Sequence, residues 1–251
     1  MLRATALEGL PEVEAGDDLA ALIARALRDH GEELESGDVL VVAHKIVSKA
    51  EGRCRRLPEV EPGDRASQLA QELDKDPRMV QVVLDESREV LRASRGVLIC
   101  LTHHGFVCAN AGVDASNVPG QDTVLLLPAD PDASACSLRR RIQELAGVRP
   151  GILITDSFGR AWRHGQCDVA VGCAGLQPLE DWRGRTDSLG RELKATWIAV
   201  ADELAAAADL ARTKDSRQPV VLVRGAGRHV TAEDGPGAAV LLRPEAEDLF
   251  R

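Results

Sequence analysis

The sequence predicts an α/β fold, an α+β mixed sheet with covering helices, and three observations carry that expectation. Six apolar runs read as strands: DVLVVAH (38–44), GVLICLT (96–102), TVLLLPA (123–129), GILITD (151–156), DVAVGCAG (168–175) and PVVLVRG (219–225). Most are nearly continuous rather than alternating, so strands covered on both faces are expected. Helical patterns lie between them, at 18–29, 64–73, 77–86, 133–146 and 190–211. The last is the clearest, with Leu193, Trp197, Val200, Leu204 and Ala208 recurring at three- and four-residue spacings as one apolar stripe. A Trp on such a stripe belongs to a core or a subunit contact more readily than to a ligand platform. No repeat, low-complexity tract or flexible linker divides the chain, so 1–251 reads as a single domain.

Composition narrows the function classes. A chain of 251 residues that is 44% hydrophobic folds and buries a substantial core. Aromatics make up only 2% and Tyr is absent, so Leu, Val, Ile and Ala must build that core, and base-stacking platforms are not expected. Lys and Arg total 31 against 40 Asp and Glu, a net charge of -9. That balance argues against a nucleic-acid partner while leaving room for a local basic pocket. No apolar run approaches the ~20 residues of a bilayer span, and the N-terminal stretch lacks the apolar segment of a signal peptide. A soluble, cytoplasmic protein with no membrane partner is the expectation. Cys54, Cys100, Cys108, Cys136, Cys167 and Cys173 form no C-x-x-C pair and read as reduced thiols. Neither the Cys100–Cys108 nor the Cys167–Cys173 spacing matches a zinc motif.

The common nucleotide and metal signatures are missing. There is no G-x-x-x-x-G-K-[ST] and no H-E-x-x-H, and GAGRH (225–229) has only the first two glycines of a dinucleotide fingerprint, which fits a turn. His103 and His104 are adjacent near a strand end, where neighbouring side chains point to opposite faces, which disfavours joint metal ligation.

Two polar stretches hold the chemistry instead. NAGVDASN (110–117) follows an apolar run and presents Asp114 among small residues. ITDSFGRAWRHGQ (154–166) reads as a second polar loop, in which Asp156 ends a strand and Ser157 follows. A carboxylate and a hydroxyl at the carboxyl end of a buried strand face the crevice where α/β proteins bind ligands. Two converging carboxylates suit Mg²⁺ or Mn²⁺, which prefer oxygen ligands and keep positions open for phosphates. Capping of a turn or helix by each side chain is the competing reading, and spacing alone leaves the two level.

Cations follow the same strands. HKIVSKAEGR (44–53) carries Lys45, Lys49 and Arg53, and the two lysines share a face of a helical turn. GRAWRHG adds Arg160, Arg163 and His164, and DWRGRTDSLGRE (181–192) contributes Arg183, Arg185 and Asp187 in an expected loop. In an acidic protein, cations placed directly after buried strands suggest an anionic ligand, although a solvated helix face explains Lys45 almost as well.

Taken in order, VVAHKIVSKAEGR, NAGVDASN, ITDSFGRAWRHG, DWRGRTDSLGRELKATWIAVADELA and PVVLVRG resemble the coenzyme F420-0:L-glutamate ligase family, from LEGLP (7–11) to about Gly225. The resemblance implies the stand-alone form, without the nitroreductase-like extension of some fused relatives. It implies a GTP-dependent, GDP-forming ligase that adds L-glutamate to the deazaflavin coenzyme F420-0 through γ-linked amide bonds, by way of an acyl phosphate. It also implies an intertwined homodimer with the active site near the interface, two divalent ions (Mg²⁺ or Mn²⁺), and room for K⁺ beside them.

Carried over by position, the resemblance makes Glu8, Gly9 and Leu10 a nucleotide-contacting loop. It places His44 and Lys45 at GTP, and matches Lys49 to a phosphate-binding lysine. Asp114 resembles a divalent-metal ligand, Asn117 a GTP contact, and Asp156 with Ser157 a further metal-binding pair, where Thr is common in place of Ser. One stretch departs from the family pattern. ARTKDSRQP (211–219) replaces a loop that is usually glycine-rich and serves nucleotide and metal; here it has no glycine and is highly charged. Asp215 or Ser216 would be its remaining oxygen ligands. Two alternatives stay open: another metal-dependent, nucleotide-using phosphoryl-transfer enzyme, and a non-catalytic deazaflavin-binding protein.

Overall fold

In the computed structural model, which describes residues 1–116, 120 and 122–248, the apolar runs become strands and the amphipathic segments pack on them. β1 (Arg3–Ala6), α1 (Leu19–Asp29), β2 (Val39–Ala43) and α2 (His44–Ala50) come first. β3 (Cys54–Arg56), α3 (Asp64–Leu73), α4 (Pro77–Asp85), β4 (Ser87–Ser94), β5 (Val97–Thr102), β6 (Val107–Ala109) and β7 (Thr123–Leu125) follow. Then come α5 (Pro131–Ala146), β8 (Gly151–Arg160), β9 (Arg163–Ala174), β10 (Glu180–Asp181), β11 (Trp197–Ile198), α6 (Val200–Asp209) and β12 (Val220–Arg224). Local chemistry sets several boundaries. Asp18 and Asp130 cap α1 and α5 by accepting the Ala21 and Ala133 N–H groups, and Pro131 opens α5 where no amide partner is needed. Gly147 closes that helix at φ 70°, a left-handed conformation that glycine adopts without strain.

The principal sheet runs β1-β12-β2-β8-β9. β2 and β8 are parallel and the other neighbours antiparallel, which makes the architecture mixed α/β as expected. Both faces are covered. Leu40, Val42, Ile152, Ile154 and Leu222 face α1 and α5, while Val39, Val41, Leu153, Val221 and Val223 face α6. That alternation along otherwise unbroken apolar strands gives each Leu or Ile about 1.5–3 kcal/mol of burial. Ala201, Ala205 and Ala208 let α6 lie close to the sheet. A smaller sheet, β4-β5-β6, is backed by α3 and α4 through Ala70, Leu73, Val80, Val83, Leu98 and Cys100.

Four sequence expectations are corrected. The helix expected over 190–211 spans only Val200–Asp209. Trp197 pairs with Asp181 in β11 and is 46% exposed, because Gly184, Gly190 and the Asp187 turn fold residues 181–198 back as an exposed hairpin. The polar stretch 154–166 is no loop. β8 and β9 continue as an antiparallel hairpin past the covered sheet, so only its tip beyond Arg160 turns. Strand 123–129 pairs only over Thr123–Leu125. β5 alternates between buried and less buried positions, since helices cover one face of its sheet. Among the described residues, no helix is long and apolar enough to cross a membrane.

Candidate functional site

Strand directions bring four polar segments to one edge of the principal sheet. Ala43 pairs with Thr155 across the parallel β2–β8 ladder, so the next residues, His44 and Asp156, emerge side by side. β12 runs antiparallel to β2 and therefore starts at this edge, where the Ala43 N–H donates to the Pro219 carbonyl at 2.8 Å. β1 runs antiparallel to β12 and leaves at the same edge, the Leu7 N–H donating to the Val220 carbonyl at 2.9 Å. LEGLP, HKIVSK, DSFGR and ARTKDSRQP thus meet at the carboxyl ends of two parallel strands, where α/β sheets hold their ligands.

Alternation along β8 divides the site into two sides. Asp156 faces α2. Its Oδ1 accepts the Ser157 N–H at 2.8 Å and lies 3.3 Å from His44 Nε2. His44 is 1% exposed, its Nδ1 is 3.3 Å from Ser48 Oγ, and its Nε2 has no aligned hydrogen-bond partner. Burial works against the Asp156 charge, yet His44, the Ser157 N–H and the more distant Lys45 hold the carboxyl below its ordinary range. Lys45 also reaches Asp114, Nζ to Oδ2 at 2.7 Å, and donates to Ser116 Oγ at 2.7 Å. Here too burial raises the Asp114 pKa while Lys45 and the Ser116 N–H outweigh it, so the net shift is downward. A two-bond bridge pins the Asp114 backbone to Leu125 (Asp114 N–H to O, 3.0 Å; Leu125 N–H to O, 2.8 Å). The capping reading of Asp114 is realised as well, since Oδ1 accepts the Ser116 N–H at 2.6 Å.

Thr155 and Ser157 point to the other side. Both hydroxyls donate to Asp168, at 2.9 and 2.6 Å, and Asp168 is 2% exposed. Arg212 donates to the same carboxylate at 2.6 Å, and Lys214 Nζ donates to Ser157 Oγ. Asp215 accepts from its own loop through Thr213 Oγ1 at 2.7 Å, and Ser216 Oγ donates to the Thr213 carbonyl at 2.9 Å.

The first loop closes the edge. The Glu8 N–H donates to His30 Nε2 at 3.0 Å, so the His30 proton sits on Nδ1 and is given to the Ala26 carbonyl at 2.9 Å. Glu8 Oε1 accepts from Gln218 at 3.1 Å, which ties LEGLP to the 211–219 loop. Gly9 has φ 75° with open space where a Cβ would stand, so its backbone is both accessible and suited to glycine. Lys49 is largely buried along its stem and its ammonium meets Glu12. Cys108, near Asp156, is no nucleophile, because burial foremost and the Asp156 charge next push its thiol up to about 12.

The structure therefore brings Glu8, Gly9, His44, Lys45, Lys49, Asp114 and Asp156 to one edge and turns Ser157 to its far side. Leu10 lies in the same loop as Glu8, half-buried against the core. Asn117 lies outside the described residues. Arg53 is structural, donating to the Leu127 carbonyl at 3.0 Å and pairing with Glu86 at 2.8 Å. Sequence reasoning passed over Asp168, Arg212, Lys214, Glu12, His30 and Gln218. The signal for Asp168 was an acid leading a run otherwise fit for a doubly covered strand.

Asp114 and Asp156, two hard carboxylates within the influence of one ammonium, fit a divalent cation. Among the described residues, no three His, Cys, Asp or Glu side chains gather as a metal centre on their own. A cation here would complete its shell with ligand oxygens, as Mg²⁺ and Mn²⁺ do with phosphates.

Comparison with known proteins places the chain among its relatives. The family described as F420-0:gamma-glutamyl ligase matches residues 9–225. The coenzyme F420:L-glutamate ligase of Methanothermobacter thermautotrophicus is 46% identical over 246 residues, covering 98% of this chain and 97% of its own. The proteins of the same name from Methanopyrus kandleri and Archaeoglobus fulgidus are also 46% identical, over 96% and 98% of this chain and 94% of theirs. The family match over residues 9–225 and this agreement over most of the chain lead to one conclusion: the chain belongs to the F420-0:gamma-glutamyl ligase family.

Proposed function

We propose that this protein is a GTP-dependent ligase that adds L-glutamate to coenzyme F420-0 by γ-linked amide bonds, forming GDP and phosphate. The observation that supports this reading best is the meeting of LEGLP, α2, the Asp114 turn and the end of β8 at one edge, with carboxylates and ammonium groups interleaved. A carboxylate is a poor electrophile and must be activated before an amine can displace anything from it. In this reading the γ-phosphoryl group of GTP passes to the terminal carboxylate of the coenzyme, giving GDP and an acyl phosphate. The α-amine of glutamate then attacks the carbonyl, and phosphate leaves as the amide forms.

Each residue has a task in that sequence. Lys45 and Lys49, four apart on α2, direct positive charge at the phosphates. Gly9 lets the backbone of LEGLP approach the nucleotide. His44, wholly inside, acts by fixing Asp156 rather than by touching the nucleotide with its ring. A divalent cation held by Asp114 and Asp156 would offset charge developing on the phosphate oxygens. Hydroxylamine tests the activation step: with GTP and coenzyme but no glutamate, it should convert the acyl phosphate to a hydroxamate. GDP release without hydroxamate would point to nucleotide hydrolysis of another kind.

The same reading includes an intertwined homodimer. Support comes from residues 181–198, which have little core of their own: Leu189 is 76% exposed, and Arg183 and Arg185 stack over Trp197 and Trp182 at 4.2 and 4.9 Å. Such a hairpin is suited to embrace a second copy.

A further inference from the structure

At and beyond the edge of the covered sheet, β8 presents Asp156, Phe158 and Arg160 in a row on one side. Ile152 and Ile154 precede them in the core on that side, and Phe158 packs against the same core. Phe158 stands edge-on to Phe106, with ring centres 6.1 Å apart at 73°, and Phe106 stacks on His104 at 5.7 Å. His104 is fixed in turn by Nε2, which donates to the Pro128 carbonyl at 2.9 Å. The hairpin adds a fourth residue. Gly159 pairs with Gln166 but Arg160 pairs with Arg163, so the ladder skips His164 and Gly165 and sets two arginines directly opposite each other. Cross-strand partners share a face, which brings Arg163 to the Asp156 side. Like charges in that position work against the hairpin. Among the described residues neither guanidinium has an ion pair, and Arg160 donates only to the His164 carbonyl at 3.4 Å. Arg183, on the other exposed hairpin, instead pairs with Asp181 at 2.7 Å. An anion seated between Arg160 and Arg163 removes their repulsion, and guanidinium forks suit a carboxylate.

Along the strand the order is carboxylate edge, half-buried ring, twin cations. L-Glutamate carries its groups in a matching order: an α-amine that must reach the activated acyl group, two methylenes, and a side-chain carboxylate. Four residues of strand cover about 13 Å from Asp156 to Arg160. An extended glutamate covers about 5 Å from its amine nitrogen to its side-chain carboxyl carbon. Ligand oxygens at Asp156 and the reach of the two arginine side chains take up the remainder. We propose that Arg160 and Arg163 together bind the side-chain carboxylate of the incoming L-glutamate, with Phe158 against its methylenes, and so set the amino-acid specificity of the reaction. The assignment rests on the glutamate-adding reading of the Asp156 edge and places the amino acid within it.

Steady-state kinetics of the full chain with coenzyme F420-0, GTP and either L-glutamate or L-glutamine tests the proposal. Glutamine keeps the amine and the methylenes but lacks the charge. Arg160→Gln and Arg163→Gln should each raise KM for L-glutamate about 10-fold, as loss of one charge-assisted contact requires, with kcat and KM for GTP nearly unchanged. The wild-type preference for glutamate over glutamine in kcat/KM should fall by the same factor. Arg163→Lys, which keeps the charge without the fork, should recover part of it. Unchanged KM for glutamate in both glutamine variants, or equal losses for the two amino acids, overturns the proposal. A change confined to KM for the coenzyme overturns it too, by giving the arginines to the coenzyme's own anionic groups. A wild type that adds no glutamate under any of these conditions refutes the ligase reading itself, and the assignment falls with it.

Discussion

His44 opens α2 directly after β2, and Asp156 follows the last β8 residue paired with β2, with Nε2 3.3 Å from Oδ1. Strand pairing therefore builds the contact, and the surrounding loops only decorate it. Asp156→Ala should abolish glutamyl transfer while costing about 1–3 kcal/mol of stability, the penalty for leaving the Ser157 N–H without its acceptor and His44 without its charge partner. Turnover measured alongside thermal melting separates the two. A folded variant that retains turnover would remove Asp156 from the site.

Lys49→Ala should raise KM for GTP by about 10-fold with a smaller change in kcat, as loss of one charge-assisted contact to phosphate requires. Unchanged kinetics would leave Lys49 as the structural partner of Glu12 alone.

Only the unprotonated Nε2 of His30 can accept the Glu8 N–H. His30→Ala should raise KM for GTP by about 5-fold, equivalent to about 1 kcal/mol for one hydrogen bond. His30→Gln, which keeps an acceptor at that reach, should recover most of it, whereas His30→Lys should not. Equal values for all three would make His30 a helix terminus and nothing more.

His229 gives a pH dependence unconnected with the site. Burial first, and the Arg228 charge second, push its pKa below the ordinary 6.5, and the Arg228 Nε–H donates to its Nε2 at 2.8 Å. The unfolded chain therefore binds the proton more readily. The stability is fully present above pH 6.5 and is lost as the pH falls through that value towards the depressed folded pKa. The melting temperature should drop between pH about 7.5 and about 5.5, and less steeply in His229→Gln. Identical slopes would count against His229 as the source.

Much of the fold was legible because the strongest signals were local. Unbroken apolar strands such as 39–43 and 220–224 lie in the doubly covered sheet, and α3 occupies Asp64–Leu73, as its pattern indicated. Expectation failed at Trp197, where a helical spacing was overridden by pairing with Asp181, a contact between residues far apart in the chain. In the site, residue type and position near strand ends picked out Asp114, Asp156 and Lys45, but not that Lys45 pairs with Asp114. The division of Asp156 from Ser157 onto opposite sides is a consequence of strand alternation, visible only once 154–160 was known to be extended. Asp168 and Arg212 lie 44 residues apart in sequence, and nothing in a linear pattern joins them.

Trp182 and Thr196 close the base of the exposed hairpin through the Trp182 N–H and the Thr196 carbonyl at 3.0 Å, so the segment between them can be replaced by a short Gly-Ser link. Light scattering coupled to gel filtration should show a dimer for the full chain and a monomer for the shortened one. A dimer in both would place the interface elsewhere.

The central claim is glutamyl transfer driven by GTP. Mass spectrometry of coenzyme F420-0 incubated with this protein, L-glutamate, GTP and Mn²⁺ tests it most directly. Gains of whole glutamyl units that vanish when GTP is omitted are the expected result. Unaltered coenzyme with any nucleotide, from a protein that still binds it, would contradict the account.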